Sequence, residues 1–254
     1  MQRRYGWRRD KLDHRDFTYR LTAPVKLPPD LDKRSIQAPV FDQTVLGACT
    51  GAGIKLELES EALVQGEPYH PLSALFIYYN ERVMEHTVFE DAGAEIRDGI
   101  KSVAKLGVCS ESDWPYITRK FAVKPRPNCY TDALKFRALL YQRVPQTLTS
   151  IKAALVKSPG IVLGISVYES FESDGVAKTG IVPMPAPDER VLGGHCVRLV
   201  GYTNRGIPGI PEQHFIGMNS WGPSWGLAGF FAIPYTYITN PKLADDLWII
   251  EAVS

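Results

Sequence analysis

The sequence has no apolar run of about 18 residues, which is the length that a transmembrane helix needs. No apolar stretch follows the basic residues at the N-terminus, so we expect no secretory signal and favour a cytoplasmic over a secreted protein. Internal repeats and low-complexity tracts are also missing, which excludes solenoid and fibrous folds. A globular protein with an ordinary core remains, since 44% of the residues are hydrophobic and 22% are charged.

Cysteine is scarce as well. Four cysteines in 254 residues are too few for a disulfide-built scaffold. None of them forms the C-x-x-C pair that is typical of a zinc site, so we expect no structural metal. Cys109 and Cys129 flank a proline-rich loop, where a disulfide is conceivable, but two partly buried thiols are the simpler interpretation.

The charges nearly balance, but they are unevenly placed. The formal charge is +1, whereas residues 1–26 carry eight Lys/Arg and three Asp, so this segment is net positive and the remaining chain is net negative. The segment has no RNA-binding motif and its charge excess is modest, so we expect no nucleic-acid partner. We predict that residues 1–26 form a separate basic extension.

Helical and strand-like patterns occupy different parts of the chain. Helical periodicity predicts helices over residues 49–66, 70–86 and 92–108, with Pro71 in the first turn of the second. In the first helix, Ile54 and Leu58 share one face and Lys55 points away from it. After a short helix at 150–158, β-branched and aromatic runs between turn residues predict strands near residues 160–168, 193–202, 214–222 and 229–235. Helices first and strands later indicate an α+β fold.

Cys49 is a candidate nucleophile because it follows the Gly47-Ala48 turn at the start of the first predicted helix. A thiol attacks only as the thiolate, and a helix N-terminus favours an anion. A cysteine in that position is weak evidence alone, since most free cysteines are small buried hydrophobic residues. Gln43 strengthens the interpretation, because its amide and the Cys49 N–H could both donate to the oxyanion that forms when the thiolate attacks a carbonyl.

His195 and Asn219 would complete such a site. His195 follows a glycine pair in GGHCVRLVGY, where a tight turn leaves the imidazole open to a cleft. The Asn219 oxygen could accept a hydrogen bond from one imidazole nitrogen and hold the other nitrogen towards the sulfur. Trp221, in the same NSWG run, would shield that bond from water. Taken singly, a core histidine and a packing tryptophan explain these residues equally well.

Together, and in this chain order, these residues resemble the papain family of cysteine peptidases. QTVLGAC matches the Gln-x5-Cys signature of that family, GGH its Gly-His element and NSWG its Asn-Ser-Trp-Gly element. The separation of about 150 residues between Cys49 and His195 is also typical. The resemblance runs from about Leu27 to the C-terminus. Leu46 and Thr50 stand where secreted plant and lysosomal members have Cys and Trp, so the chain is more similar to a bacterial branch with reduced cysteines and no full-length prodomain.

The resemblance implies a helical lobe at residues 27–135, a β-barrel-like lobe at residues 136–254 and a cleft between them. It implies a cysteine endopeptidase that forms a thioester on Cys49, with His195 as acid and base and no metal or organic cofactor. Peptide or protein substrates would then contact five residues, namely Ala92, Gly93, Gly194, Cys196 and Trp221. The C-terminal sequence NPKLADDLWIIEAV differs too much from the family to place the floor of the specificity pocket.

Alternatives stay open at this point. The same Cys-His pair would serve a small-molecule amidase or an acyltransferase, and an inactive papain fold would be a binding protein. We expect a monomer. Four aromatic residues in the basic extension (Tyr5, Trp7, Phe17 and Tyr19) and the negative charge of the remaining chain predict that residues 1–26 fold back and obstruct the cleft, as a short pro-segment would. The alternative is a strap on the far side of the molecule, or a disordered tail.

Overall fold

The computed structural model describes residues 4–11, 13–20 and 25–253. Seven α-helices lie in these ranges: α1 (Cys49–Val64), α2 (Ala74–Met84), α3 (Ile96–Leu106), α4 (Pro127–Ala133), α5 (Leu148–Lys157), α6 (Asp174–Thr179) and α7 (Tyr235–Ile238). The strands in the same ranges are β1 (Trp7–Arg8), β2 (Asp30–Asp32), β3 (Ala94–Glu95), β4 (Ala138–Arg143), β5 (Ile161–Tyr168), β6 (Val191–Thr203), β7 (His214–Met218), β8 (Phe230–Pro234) and β9 (Ala244–Val253). The predicted α+β class is confirmed.

Helix α1 is buried over most of its length, on the sides that carry its charged residues as well as on its apolar side. Every residue from Cys49 to Glu61 is buried, including Lys55 and Glu59. The helix contacts α2 and α3 on one side and strands β6 and β9 on the other, so these residues meet protein rather than solvent. Its charged residues are accommodated because they are paired: the Lys55 ammonium lies 2.6 Å from the Glu59 carboxylate.

The second helix begins later than predicted. Ser73 caps α2 by accepting a hydrogen bond from the Phe76 N–H, so Pro71 lies before the helix rather than in its first turn. Helix α3 ends where predicted, since Gly107 follows it with φ +75°, a conformation that favours glycine. The proline-rich loop holds one helix that the sequence did not indicate, α4, which starts at Pro127.

The β lobe is built on one sheet with the strand order β4-β9-β5-β6-β7-β8, and β2 pairs with β6. All pairs in this sheet are antiparallel. Strands β5 to β8 match the predicted strands. Strands β4 and β9 were not predicted, and β9 includes the fully buried Trp248 and Ile250. The register of β5 on β6 places Ile165 opposite His195 and Gly164 opposite Cys196.

The hydrophobic core has a large cluster in each lobe. One cluster fills the β lobe around β5 to β8, and the other joins α1, α2 and α3 and also takes in Trp248 and Ile250 from β9. Cys49 belongs to the second cluster and Trp221 to the first, so the cleft lies where the two lobes meet. Because β2 pairs with the sheet and β9 contributes to the helical core, the chain crosses between lobes, and the boundaries at residues 27–135 and 136–254 stay a prediction.

All four cysteines are free, buried thiols, namely Cys49, Cys109, Cys129 and Cys196. This agrees with the simpler of the two interpretations of Cys109 and Cys129. Burial and the neighbouring Cys129 raise the pKa of the Cys109 thiol.

The helices are also short. Within the described ranges, none of them has the length and apolar character needed to cross a membrane.

Candidate active site

Cys49 is the first residue of α1 and is fully buried. Burial raises the pKa of the Cys49 thiol to about 12, although the nearby backbone N–H groups of Cys196, Gly6 and Thr50 lower it. In this state of the molecule, burial therefore favours the thiol over the thiolate.

His195 is held by Asn219 at the start of the buried part of β6. The imidazole Nε2 lies 2.8 Å from the Asn219 Oδ1, which also accepts a 2.8 Å hydrogen bond from the Ser220 N–H. The Trp221 ring is stacked on the imidazole with 5.0 Å between centroids. His195 and Asn219 are both fully buried, so the bond between them is shielded from water. Asn219 therefore engages the Nε2 side of the imidazole.

Gln43 connects the loop before Cys49 to the loop that holds Asn219. Its backbone N–H donates to the Ser220 carbonyl at 2.9 Å, and its side-chain oxygen accepts from the Ser220 Oγ at 2.5 Å. The side-chain Nε2 donates to the Leu46 carbonyl at 2.9 Å, within the loop that leads to Cys49. These hydrogen bonds fix the orientation of the Gln43 amide.

The N-terminal segment Tyr5–Arg8 lies in the cleft. The Tyr5 ring meets the His195 ring edge-on with 6.2 Å between centroids. The Gly6 backbone N–H lies near the Cys49 sulfur, and the Gly6 carbonyl accepts from the Ala94 N–H at 2.7 Å. Trp7 and Arg8 then form β1, which pairs in parallel with β3.

Gly6 is the point of closest approach between the segment and the enzyme body. A Cβ at Gly6 would overlap the carbonyl of Gly47, and a Cβ at Gly93 would overlap the carbonyl of Gly6. Gly93 also has φ +70°, a conformation that favours glycine. Backbone therefore faces backbone here, and a side chain as small as a methyl group has no room at Gly6.

The predicted substrate-binding residues lie around this segment in different ways. Gly93 and Gly194 face it directly, Gly93 at Gly6 and Gly194 at Trp7. Ala92 is the residue before Gly93, and the hydrogen bond to the segment comes from Ala94 instead. Cys196 lies next to Cys49, with its backbone N–H near the Cys49 sulfur. Trp221 covers His195.

The contacts at the end of the cleft where Trp7 lies were not predicted from the sequence. The Trp7 indole N–H donates to the Asp246 carboxylate at 3.0 Å, and the Asp10 N–H donates to the same oxygen at 2.8 Å. Asp246 lies in β9, in the C-terminal stretch whose role could not be assigned from the sequence. The Arg143 guanidinium lies 2.7 Å from the other Asp246 oxygen. These partners are more than 100 residues apart in the chain, and no local pattern indicates their pairing.

The second half of the N-terminal extension is a strap on the body of the enzyme. Asp13 and Asp16 both form ion pairs with the Arg97 guanidinium at the start of α3. Tyr19 packs in the core of the β lobe, and its N–H donates to the Arg143 carbonyl at 2.8 Å. One part of the extension therefore lies in the cleft, and the other part is held against the body of the enzyme. Residues 1–3, 12 and 21–24 lie outside the described part of the chain.

Comparisons with known sequences and with solved structures point to the same family. The sequence model of the papain family cysteine proteases matches residues 27–246. An uncharacterized peptidase C1-like protein of Acanthamoeba polyphaga mimivirus is 38% identical over 283 residues, which cover 100% of this chain and 88% of that protein. The crystal structure of xylellain, a cysteine protease from Xylella fastidiosa, has a TM-score of 0.88 at 37% identity and covers 100% of this chain and 99% of its own. ProCathepsin B S9 from Trypanosoma congolense shares the fold, with a TM-score of 0.72 at 19% identity over 91% of this chain and 80% of its own.

Proposed function

The chain belongs to the papain family of cysteine proteases and is a cysteine peptidase, and we propose that Cys49 is its nucleophile and His195 its acid and base. One observation carries this assignment. Consecutive residues of the N-terminal segment contact the two groups, Tyr5 at the His195 ring and Gly6 at the Cys49 sulfur, so both groups border the same point of the cleft. Asn219 orients His195, and its hydrogen bond to Nε2 supports that role.

The reaction follows from these positions. The Cys49 thiolate attacks the carbonyl carbon of a peptide bond, and the oxyanion is stabilised by the Cys49 N–H and the Gln43 amide. His195 gives a proton to the leaving amine, the C–N bond breaks, and a thioester remains on Cys49. His195 then takes a proton from a water molecule, which attacks the thioester and releases the acid product and the thiolate.

We also propose that Tyr5–Arg8 restrains the enzyme, which acts only in the fraction of molecules whose segment has left the cleft. Gly6 covers the sulfur, and the burial that accompanies it favours the unreactive thiol over the thiolate. The Tyr5 ring occupies the approach to His195. A substrate carbonyl needs the space that Gly6 fills, so activity requires displacement of the segment.

We further propose that the enzyme is an endopeptidase that acts on peptides or proteins as a monomer. We place it in the cytoplasm, where thiols stay reduced, and the four free cysteines are consistent with that compartment.

Replacing Cys49 with Ser tests the assignment. The change removes the thiolate but exchanges only one atom, so the protein should fold while digestion of a denatured protein falls by several orders of magnitude. Cys109→Ser is the matched control, because Cys109 is also a buried thiol but lies in a different part of the helical lobe. Cys49→Ser protein that still digests at an appreciable rate would reject Cys49 as the nucleophile, and peptidase activity lost in both variants would point to misfolding.

A further inference from the structure

A cavity lies on the helical lobe, away from the cleft. Its volume is about 360 Å³, which is within the range of small-molecule sites. The second half of α1 forms one wall with Leu58, Glu59 and Ala62, and the exposed loop that follows the helix lines the mouth. Glu59 follows Cys49 by ten residues in the same helix, which corresponds to a rise of about 15 Å. The cavity is therefore separate from the site at Cys49.

Much of the cavity wall is apolar. The rings of His70 and Phe136 are stacked, with 4.6 Å between their centroids and an angle of 10° between their planes, and both residues line the cavity. Leu58 and Leu72 also line it and are nearly fully buried, so they form its inner part. A flat apolar group of a ligand would be removed from water against these side chains, which favours its binding.

A buried carboxylate belongs to the same wall. Glu59 lines the cavity and is 2% exposed. Its Oε1 accepts from the Lys55 ammonium at 2.6 Å and from the Leu72 N–H at 2.7 Å. Its Oε2 is buried as well, and no donor among the residues that the structure describes forms a hydrogen bond with it. A buried carboxylate oxygen without a donor is unfavourable, so this atom favours a ligand that supplies one.

The charges beside the cavity favour a cation. Burial raises the pKa of both Glu59 and Glu111, and Lys55, which lies near both carboxylates, offsets this only in part. One ammonium is thus shared by two buried carboxylates. The Lys135 ammonium at the rim of the cavity is already paired with Asp132 at 2.9 Å. A second cation beside Glu59 would therefore stabilise its charged form.

We propose that this cavity binds an organic amine with a flat apolar body, whose ammonium donates to the Glu59 Oε2 and whose body packs against Phe136. The inference concerns a ligand site outside the cleft and does not depend on the peptidase function. An ammonium supplies both the missing donor and a positive charge, and charge-assisted hydrogen bonds are about twice as strong as neutral ones. An alcohol of the same shape supplies a donor alone, and an acid brings a like charge to Glu59.

Calorimetric titration of the full-length protein with three indole compounds tests the proposal. The compounds are tryptamine, tryptophol (in which a hydroxyl replaces the amine) and indole-3-acetate. Tryptamine should bind at least about tenfold more tightly than tryptophol, because its hydrogen bond to Glu59 carries a charge. Indole-3-acetate should not bind. Equal affinities for tryptamine and tryptophol, or no binding of tryptamine, would overturn the proposal.

A substitution at Glu59 tests which carboxylate holds the ammonium. Glu59→Gln keeps an oxygen for the Lys55 and Leu72 donors but removes the charge, so the preference for tryptamine over tryptophol should disappear. Glu57→Gln is the matched control, because Glu57 is also buried in α1 but pairs with Arg198 and does not line the cavity. It should leave the preference unchanged. An equal loss of preference in both variants, or an unchanged preference in Glu59→Gln, would contradict the role of Glu59.

A substitution that leaves the charges intact tests the cavity itself. Ala62 lies in the wall and is half-buried, and leucine is also a good helix former, so Ala62→Leu should fold and narrow the cavity. Binding of tryptamine and of tryptophol should both weaken by about tenfold or more. Ala104→Leu, at a half-buried position in α3 outside the cavity, is the control and should bind as the wild type does. Tryptamine binding that survives Ala62→Leu unchanged would place the ligand elsewhere and reject the site.

Discussion

At the scale of single residues, the side-chain oxygen of Asn219 has two partners that fix it in place. It accepts from the Ser220 N–H and lies 2.8 Å from the His195 Nε2. The first contact anchors the amide to its own loop, and the second sets the orientation of the imidazole. An amide takes no proton in such a reaction, so we predict that Asn219 acts as a positioning residue.

Loss of the Asn219 side chain should lower activity less than loss of the His195 side chain. Asn219→Ala should lower kcat by less than about a hundredfold, because the proton transfer, which contributes about a hundred- to ten-thousandfold, is disturbed but not removed. His195→Ala should lower it by about a thousandfold or more, because proton transfer to the leaving amine disappears. Steady-state kinetics on well-folded proteins, checked by circular dichroism, compare the two. Equal losses would show that Asn219 does more than hold the ring.

The residues that the sequence could predict are those in short, self-contained motifs. Gln43, Cys49, His195 and Asn219 each lie in a run of a few residues whose spacing carries chemical meaning. The pairing of Trp7 with Asp246 spans 239 positions in the chain and depends on how two lobes and an extension come together. No local pattern encodes that contact, which is why the surroundings of Asp246 could not be predicted from the sequence.

At the scale of elements, α1 illustrates how tertiary packing overrides a sequence pattern. The charged residues of this helix are buried because it runs between α2, α3 and the sheet. Three of these buried charges, Lys55, Glu57 and Glu59, have charged partners instead of water. The Arg198 guanidinium from β6 lies 2.5 Å from the Glu57 carboxylate, and both side chains are fully buried. Strand β9 was not predicted for a related reason, since its acidic start at Asp245 and Asp246 masked a buried strand.

Breaking this buried pair should destabilise the fold. Arg198→Met leaves the Glu57 carboxylate buried without its cation, which should cost about 3–5 kcal/mol in the free energy of unfolding. Arg34→Met is the control, because Arg34 pairs with Asp32 where both side chains are about a third exposed, and its loss should cost less than about 1 kcal/mol. Urea unfolding at neutral pH measures both. A loss of similar size in the two variants would contradict the account of α1.

At the scale of the whole molecule, the N-terminal extension joins the two lobes and closes the cleft. Asp10 lies where the extension meets β9, close to Asp246 and Arg143. Its carboxylate accepts hydrogen bonds from the Arg97 N–H and the Trp248 indole N–H. Burial first, and then the neighbouring Asp246, raise the pKa of Asp10 from 3.8 to about 8. Docking of the segment therefore favours the protonated form of Asp10, as it favours the protonated form of Cys49.

The direction of the Asp10 pKa shift predicts how docking of the N-terminal segment in the cleft depends on pH. A group whose pKa is raised by docking stabilises the docked state at low pH, and that contribution is lost as pH rises from about 4 to about 8. The ratio of wild-type kcat/KM to that of Gly6→Ala should therefore increase over this range. Because the same catalytic groups act in both proteins, the ratio cancels the pH dependence of the chemistry. A ratio that stays flat or decreases would contradict the proposed closure.

The central claim is that Cys49 is a catalytic thiol which Gly6 keeps covered. The most direct test is the rate at which a thiol-directed epoxysuccinyl inhibitor labels the wild-type chain and its Gly6→Ala variant, followed by intact mass and peptide mapping. A methyl group at Gly6 has no room against Gly47, so the variant should release the segment. Gly175→Ala is the matched control, since a Cβ there meets nothing closer than 3.7 Å.

Gly6→Ala should be labelled at Cys49 about tenfold faster or more than the wild type, since every 1.4 kcal/mol or so of lost docking free energy is a factor of about ten. Gly175→Ala should match the wild type, and Cys49→Ser should not be labelled. Equal labelling rates for the Gly6→Ala and wild-type proteins, or an adduct on a cysteine other than Cys49, would contradict the claim.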